Sequence, residues 1–450
     1  MSLATLFERD RSRAVLVLAG PIIAGMMSQT VLNLIDTAMV GRLGPAAQGA
    51  AGLGSFSFFV LANLVIGLGT GVQAMVSRRD GEGAPEKAGA ALDTALMLAV
   101  FVALPLGFAL SFTADRIFPF LSDDAAVVSG GSGYLQIRLM AVGVVTANYC
   151  FRGFFNGIGR SRTYMSTLIV IHVLNVVLNW VFIYGNLGAP RMEVRGAALA
   201  SALAAAIGTL TYVILTVSNK EVRSKYLPFR FGSLSGGVAR GLVSLSWPEA
   251  LRGIGLMVGF LIFLRMHSWI GTREVAAGTI LVNLASVGFL PALGFGLAGA
   301  TFVGRNLGAK KPAEARRMVW QTWRIAFAAV LLPIVLMQAA PAAVLAAFTP
   351  DRVVIELAVP AVRLLALSFL VDTLAFVLIY SLVGAGATRW AAAVQLGGQY
   401  VVLLPLAWLL GLQLDLGLVG LWTGMVLSRA VLAALGWQRF RGDSWERIEV

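Results

Sequence analysis

The chain has 450 residues, 58% of them hydrophobic and 13% charged, with a mean hydropathy of +0.82 and a formal net charge of +13. Soluble domains carry about 25% charged and about 45–50% apolar residues, so a soluble globule is excluded, and disorder is excluded by the same excess of hydrophobes. One cysteine, Cys150, excludes a disulfide framework or a cysteine-based metal cluster, and His172 and His267 lie too far apart for a local metal motif.

A helix crossing a hydrocarbon layer about 30 Å thick needs about 20 apolar residues. Apolar runs and their polar breaks then predict twelve spans. Those of the first half cover 14–40, 48–77, 88–112, 130–154, 163–185 and 195–218. Those of the second half cover 242–270, 275–304, 317–340, 355–384, 390–411 and 417–438. The runs are long, rich in glycine and without short alternating strands, which predicts helices and no barrel. Arg9, Arg11 and Arg13 precede the first run as in a signal peptide, but the run is too long and carries Asp36, so an uncleaved first helix is expected.

Loops assigned alternately place nearly all Lys and Arg on one side. The other side receives only Arg42, Arg116, Arg191, Arg195, Arg273 and Arg352, which predicts that both termini are cytoplasmic. The net charge follows from this topology, and no nucleic-acid partner is expected.

The halves repeat. Pro21 matches Pro248, Gly44 matches Gly271, Gly81 matches Gly308 and Pro85 matches Pro312, each 227 positions apart. The same shift carries Val76 and Arg78 onto Val303 and Arg305, and Gly157, Gly159 and Arg162 onto Gly384, Gly386 and Arg389. Six helices per repeat make the repeats parallel, a layout that places substrate sites between halves in duplicated transporters. The expected organisation is an N-terminal lobe at 1–218, a cytoplasmic linker at 219–240 and a C-terminal lobe at 241–450.

Charges within spans are the functional candidates, since each costs about 2.5–3.5 kcal/mol at mid-helix on insertion scales. Asp36 stands in the first span, where its repeat counterpart is Phe263. It is read either as a partner of an arginine such as Arg42 or as a group that exchanges a proton or a cation while its site is alternately hydrated and dried. Asp372 in the tenth span has Val145 as counterpart, and a pair with Arg363 or another helix arginine is its structural alternative. Glu249 and Arg252 are spaced for an i,i+3 pair, and Arg138, Arg152, Arg265 and Arg429 for snorkelling or pairing. Asn175 and Asn179 share a face of the fifth span, with Ser201 in the sixth and Asn148 in the fourth. These amides either tie helices together or surround Asp36. His172 reads as a helix-to-helix hydrogen-bond partner. Gly67, Gly69 and Gly71 lie within a span with no following Lys-Ser, so they form no phosphate loop. A membrane-embedded enzyme would need clustered His, Asp or Glu, which the chain lacks as a motif.

The first-span residues Pro21, Gln29, Asp36, Thr37, Gly41, Arg42 and Gly44 closely resemble the first helix of the multidrug and toxic compound extrusion (MATE) family. Arg152 to Gly159, its echo Gly384 to Thr388, and Val303 to Gly308 resemble it too. The resemblance covers essentially the whole chain. It implies an all-α integral membrane exporter with twelve transmembrane helices in two parallel six-helix repeats around a central cavity, driven by antiport with protons or sodium. By the same resemblance, Asp36 is the acid that binds the coupling ion, beside Asn175, Asn179 and Ser201. Many members carry a second aspartate where this chain has Asn179. Hard cations prefer charged oxygens, so one carboxylate favours a proton over sodium. Asp372 matches the acid of a C-lobe cation site, but that region of the seventh span reads Gly255, Leu256 and Met257, with Glu249 beside Pro248. Asp372 is therefore expected to contact cationic substrate, with Asn33, Thr37, Asn148 and Met257 as further cavity candidates. No cofactor or metal is implied. The expected partners are amphipathic or cationic drugs and the lipid bilayer, with a monomer in a prokaryotic plasma membrane. The rival within the wider superfamily is a lipid-linked oligosaccharide flippase, which would need inward-pointing arginines such as Arg138 or Arg152.

Overall fold

A computed structural model describes residues 8–230 and 236–448. Among the described residues there are helices and no strands. Eleven helices are long and apolar enough to cross a membrane: Arg9–Gly41, Pro45–Gly81, Pro85–Ser111, Ser161–Tyr184, Glu193–Ser218, Gly236–Ile270, Thr272–Gly308, Pro312–Ala339, Arg352–Gly384, Thr388–Gln413 and Gly417–Arg441. The twelfth, the fourth in chain order, is broken into Ala125–Met140 and Val142–Gly157, each of 16 residues. The break has a packing cause. A Cβ on Gly143 would meet Leu104 Cβ at 2.6 Å, and one on Gly107 would meet the Leu139 carbonyl oxygen at 2.4 Å. The third span thus sits against bare backbone where the fourth changes direction. With the two pieces counted as one span, all twelve expected spans are present.

The chain divides into two compact units, Ala24–Ala250 and Met1–Ile23 with Leu251–Val450. Local devices recur in both at the shift found in the sequence. Asp124 caps its helix by accepting from the Ala126 and Val127 amides, and Asp351 does the same for Val353 and Val354. Each carboxylate satisfies amides that the first helical turn leaves without a carbonyl.

In the first unit the second and fourth spans cross through glycine. A Cβ on Gly153 would lie 2.2 Å from the Gly69 carbonyl oxygen, and one on Gly69 would lie 2.6 Å from that of Tyr149. Close approach without side chains is how helices associate in lipid, where no hydrophobic force drives them together. Phe151 and Phe155 stack on Tyr212 beside this crossing, at 5.2 and 5.8 Å between ring centres. Cys150 is fully buried there. A short helix, Lys220–Tyr226, docks on the same unit. Asp93 accepts hydrogen bonds from the Phe229 and Arg230 amides at 2.7 and 2.9 Å, and Asp80 accepts from the Tyr226 hydroxyl at 2.7 Å. In the second unit the eighth and tenth spans repeat the glycine crossing, with Gly384 seated on the Ala300 carbonyl. Phe263, Phe369 and Trp422 form part of its core. Arg316 anchors the C-terminal segment through the Phe440 carbonyl at 2.8 Å and Glu446 at 2.7 Å.

Candidate functional site

The first and fifth spans carry matching polar stripes within one unit. Gln29, Asn33 and Asp36 lie at i, i+4 and i+7, and His172, Asn175 and Asn179 lie at i, i+3 and i+7, spacings that put each trio on one helix face. The stripes meet in register. Asn179 Nδ2 donates to Asp36 Oδ1 at 2.6 Å and to Asn175 Oδ1 at 3.0 Å, and Asn175 Nδ2 donates to Ser201 Oγ at 3.0 Å. Four residues singled out in the sequence are therefore brought into one chain. Asn175 and Asn179 are buried, whereas Asp36 is half-buried. Arg42 takes no part in these contacts; the Asp36 carboxylate meets an amide. Asn179 Oδ1 is buried with no hydrogen-bond partner. The chain thus holds one acid, a spare acceptor beside it, and neutral donors.

The remaining candidates separate. Asn33 and Thr37 are exposed on the first span, and the Thr37 hydroxyl donates to the Asn33 carbonyl at 2.8 Å. Asn148 ties the fourth span to the sixth through the Ala205 carbonyl at 2.9 Å and the Thr209 hydroxyl at 3.3 Å, away from the Asp36 chain. Met257 is half-buried on the seventh span. Asp372 is buried, with Arg429 Nε at 3.4 Å and the Ser368 hydroxyl at 3.4 Å. Arg429, and not Arg363, is the guanidinium beside Asp372, and it lies over the Phe376 ring at 5.3 Å from its centre. Arg138 lies over Phe58 at 4.2 Å, and Arg152 over Tyr149 and Tyr164 at 5.4 and 5.5 Å. Among the described residues no group of three or more His, Cys, Asp or Glu is placed to hold a metal ion.

Sequence reasoning left Ser28 and Gln29 without a role. Ser28 Oγ lies 2.7 Å from His172 Nδ1, His172 Nε2 lies 3.1 Å from Gln29 Oε1, and Gln29 Nε2 donates to Asn33 Oδ1 at 3.0 Å. The signal was available, because Gln29 precedes Asp36 by two helical turns and so shares its face.

Known proteins share this frame. The MatE family model matches the chain twice, over residues 21–181 and 248–409. The chain is 25% identical to a probable multidrug resistance protein NorM of Thermotoga maritima over 437 residues, covering 96% of this chain and 93% of that protein. It is 26% identical to a multidrug resistance protein NorM of Burkholderia vietnamiensis, covering 94% and 92%. Among solved structures, one described as an outward-facing multidrug resistance MATE family transporter superposes with a TM-score of 0.89 at 22% identity, covering 100% of this chain and 99% of that one. A Pyrococcus furiosus transporter described as having a binding pocket of reverse polarity superposes with a TM-score of 0.88 at 22% identity, covering 100% and 99%. Two matches whose starts are offset by the internal repeat, on a multi-pass helical frame, establish that the chain belongs to the MatE family and is a membrane transporter, not an enzyme.

Proposed function

We propose that this transporter is a secondary active multidrug exporter that exchanges protons for amphipathic, mostly cationic compounds, with Asp36 as the proton-carrying group. The observation that carries this reading is a single half-buried carboxylate held by neutral groups, the Asn179 amide and through it the Asn175 amide and the Ser201 hydroxyl. A proton needs one titratable group. A bare sodium ion favours several charged oxygens, and Asn179 supplies none. The named relatives, a probable multidrug resistance protein and a multidrug resistance protein, support multidrug export; the preference for cations is read from the Asp36 carboxylate.

The cycle follows from charge. The ionised Asp36 attracts a cationic drug. When the site opens outward, Asp36 takes a proton, loses its charge and can donate to the spare Asn179 oxygen, so the drug is released. The neutral empty protein turns inward, gives up the proton and reloads. Each pH unit supplies about 1.4 kcal/mol per proton. Exchange of one proton for a monovalent cation moves no net charge, so the pH gradient drives it; the membrane potential contributes about 2.3 kcal/mol per 100 mV only for each net charge moved. In this reading both termini are cytoplasmic, the protein acts as a monomer, and the membrane is a prokaryotic plasma membrane. The flippase reading is disfavoured because Arg138 and Arg152 lie over aromatic rings.

Drug efflux from liposomes holding wild type or Asp36→Asn, under an imposed proton gradient and then a sodium gradient, tests the reading. Proton-driven export abolished in Asp36→Asn is the expected result. Sodium-driven export by wild type would overturn the coupling ion, and undiminished uphill export by the variant would remove Asp36 from the mechanism.

A further inference from the structure

Gln29, Asn33 and Thr37 are exposed on a span that must otherwise satisfy lipid. An amide turned to hydrocarbon leaves its donors and acceptors without partners, so this face borders water. One hydrogen-bond chain reaches that face from the helix contact behind it, from Ser28 through His172 and Gln29 to Asn33.

The chain has two internally consistent polarities. With the proton on Nε2, His172 donates to Gln29 Oε1, Gln29 donates to Asn33 Oδ1, and the free end of Asn33 is its Nδ2 donor. With the proton on Nδ1, the ring donates to Ser28 Oγ. Gln29, its amide turned over, then donates to Nε2, Asn33 donates to Gln29, and the Asn33 carbonyl oxygen faces outward. Amide rotation exchanges oxygen and nitrogen without moving the skeleton, and a hydroxyl serves as donor or acceptor, so both states keep the same number of bonds. Neither requires a charged imidazole.

We propose that His172 acts through its tautomer as a specificity-determining residue, letting Asn33 offer either a donor or an acceptor to the substrate beside Asp36. The substrate class is then organic cations carrying either kind of hydrogen-bonding group next to the charge. This rests on the export reading above and names what the same face accepts. A fixed polar group rejects a ligand of the wrong polarity because one buried group is left unpaired. A reversible group does not.

The chain has only two histidines, so nitrogen NMR of histidine-labelled protein in bilayers reads two rings, and His172→Phe identifies which is which. The probes are para-acetylphenyl-trimethylammonium, an acceptor, para-aminophenyl-trimethylammonium, a donor, and tetraphenylphosphonium, which is neither. The acetyl probe should select the Nε2–H tautomer and the amino probe the Nδ1–H tautomer, while tetraphenylphosphonium leaves the balance where it was. One tautomer with both probes, or an imidazolium, overturns the proposal. Transport gives a second arm that does not depend on His172→Phe folding. Gln29→Glu accepts at both ends and so holds the Asn33 oxygen outward. Its added charge attracts both cations alike, so the ratio of their KM values isolates polarity. That ratio should move about tenfold towards the amino probe, equivalent to about 1.4 kcal/mol; an unchanged ratio sinks the idea. Absence of uphill export of any probe by wild type would instead refute the export reading, and the tautomer measurement would still decide this one.

Discussion

At the scale of single residues, an aspartate at 179 would put a charged oxygen where Asn179 has the amide nitrogen that donates to Asp36 from 2.6 Å. Asn179→Asp should make export responsive to a sodium gradient, measured in the same liposomes, because two carboxylates then face one another across a buried site. A variant that stays indifferent to sodium would show that carboxylate number does not select the ion. Asp372 and Arg429 make a different case. Their side chains are 11% and 23% exposed, so the carboxylate is largely enclosed and the guanidinium less so. Arg429→Met leaves a buried carboxylate alone and should cost about 3 kcal/mol, the lower end for a broken buried pair because the guanidinium keeps some contact with solvent. Thermal unfolding should register that loss, and Asp372→Leu added to Arg429→Met should recover most of it. The Asp36 chain was legible because an acid and two amides at helical spacing are costly in a membrane and so stand out. The Arg429 partnership was not, since several helix arginines were equally placed along the sequence and only tertiary packing chooses among them.

At the scale of helices, contact is made through missing side chains. Gly153→Ala drives a methyl group into the Gly69 carbonyl, which lies 2.2 Å from the new atom and is backbone, so one helix must shift. Overpacking of this kind costs about 1–3 kcal/mol, and the variant should unfold at lower temperature in detergent than Gly52→Ala, where nothing lies within 4 Å of the new atom. The docked segment after the sixth span hangs on Asp93, which binds two successive amides. Asp93→Ala should speed hydrogen exchange at Phe229 and Arg230 while leaving the sixth span protected; unchanged protection there would show that neighbouring contacts suffice. Span positions followed from apolar run lengths, because a bilayer imposes one length on every crossing. The break at Ala141 did not follow, since Met140, Ala141 and Val142 are all apolar and the cause lies on the third span, at Gly107 and Leu104.

At the scale of the whole molecule, the lone thiol is out of reach, with Cys150 fully buried. Cysteines introduced singly at Ser224 and at Asn186 should therefore be labelled by a membrane-impermeant maleimide from opposite sides, Ser224 from the cytoplasm. Labelling of both from one side would refute the topology proposed from the distribution of arginines. The repeat was readable at an offset of 227 because prolines and glycines recur where backbone geometry demands them, and the structure adds the caps Asp124 and Asp351 at the same offset. The polar chemistry did not need to survive in both places. Under the same shift Asp36, Asn175 and Asn179 fall on Phe263, Val402 and Leu406, and Phe263 belongs to a hydrophobic core. Duplication has supplied a spare frame without a second copy of this polar chain. In the proposed cycle a lesion at Asp36 has no counterpart carboxylate at the matching position of the other repeat, so this position should tolerate far less variation than the doubled architecture around it.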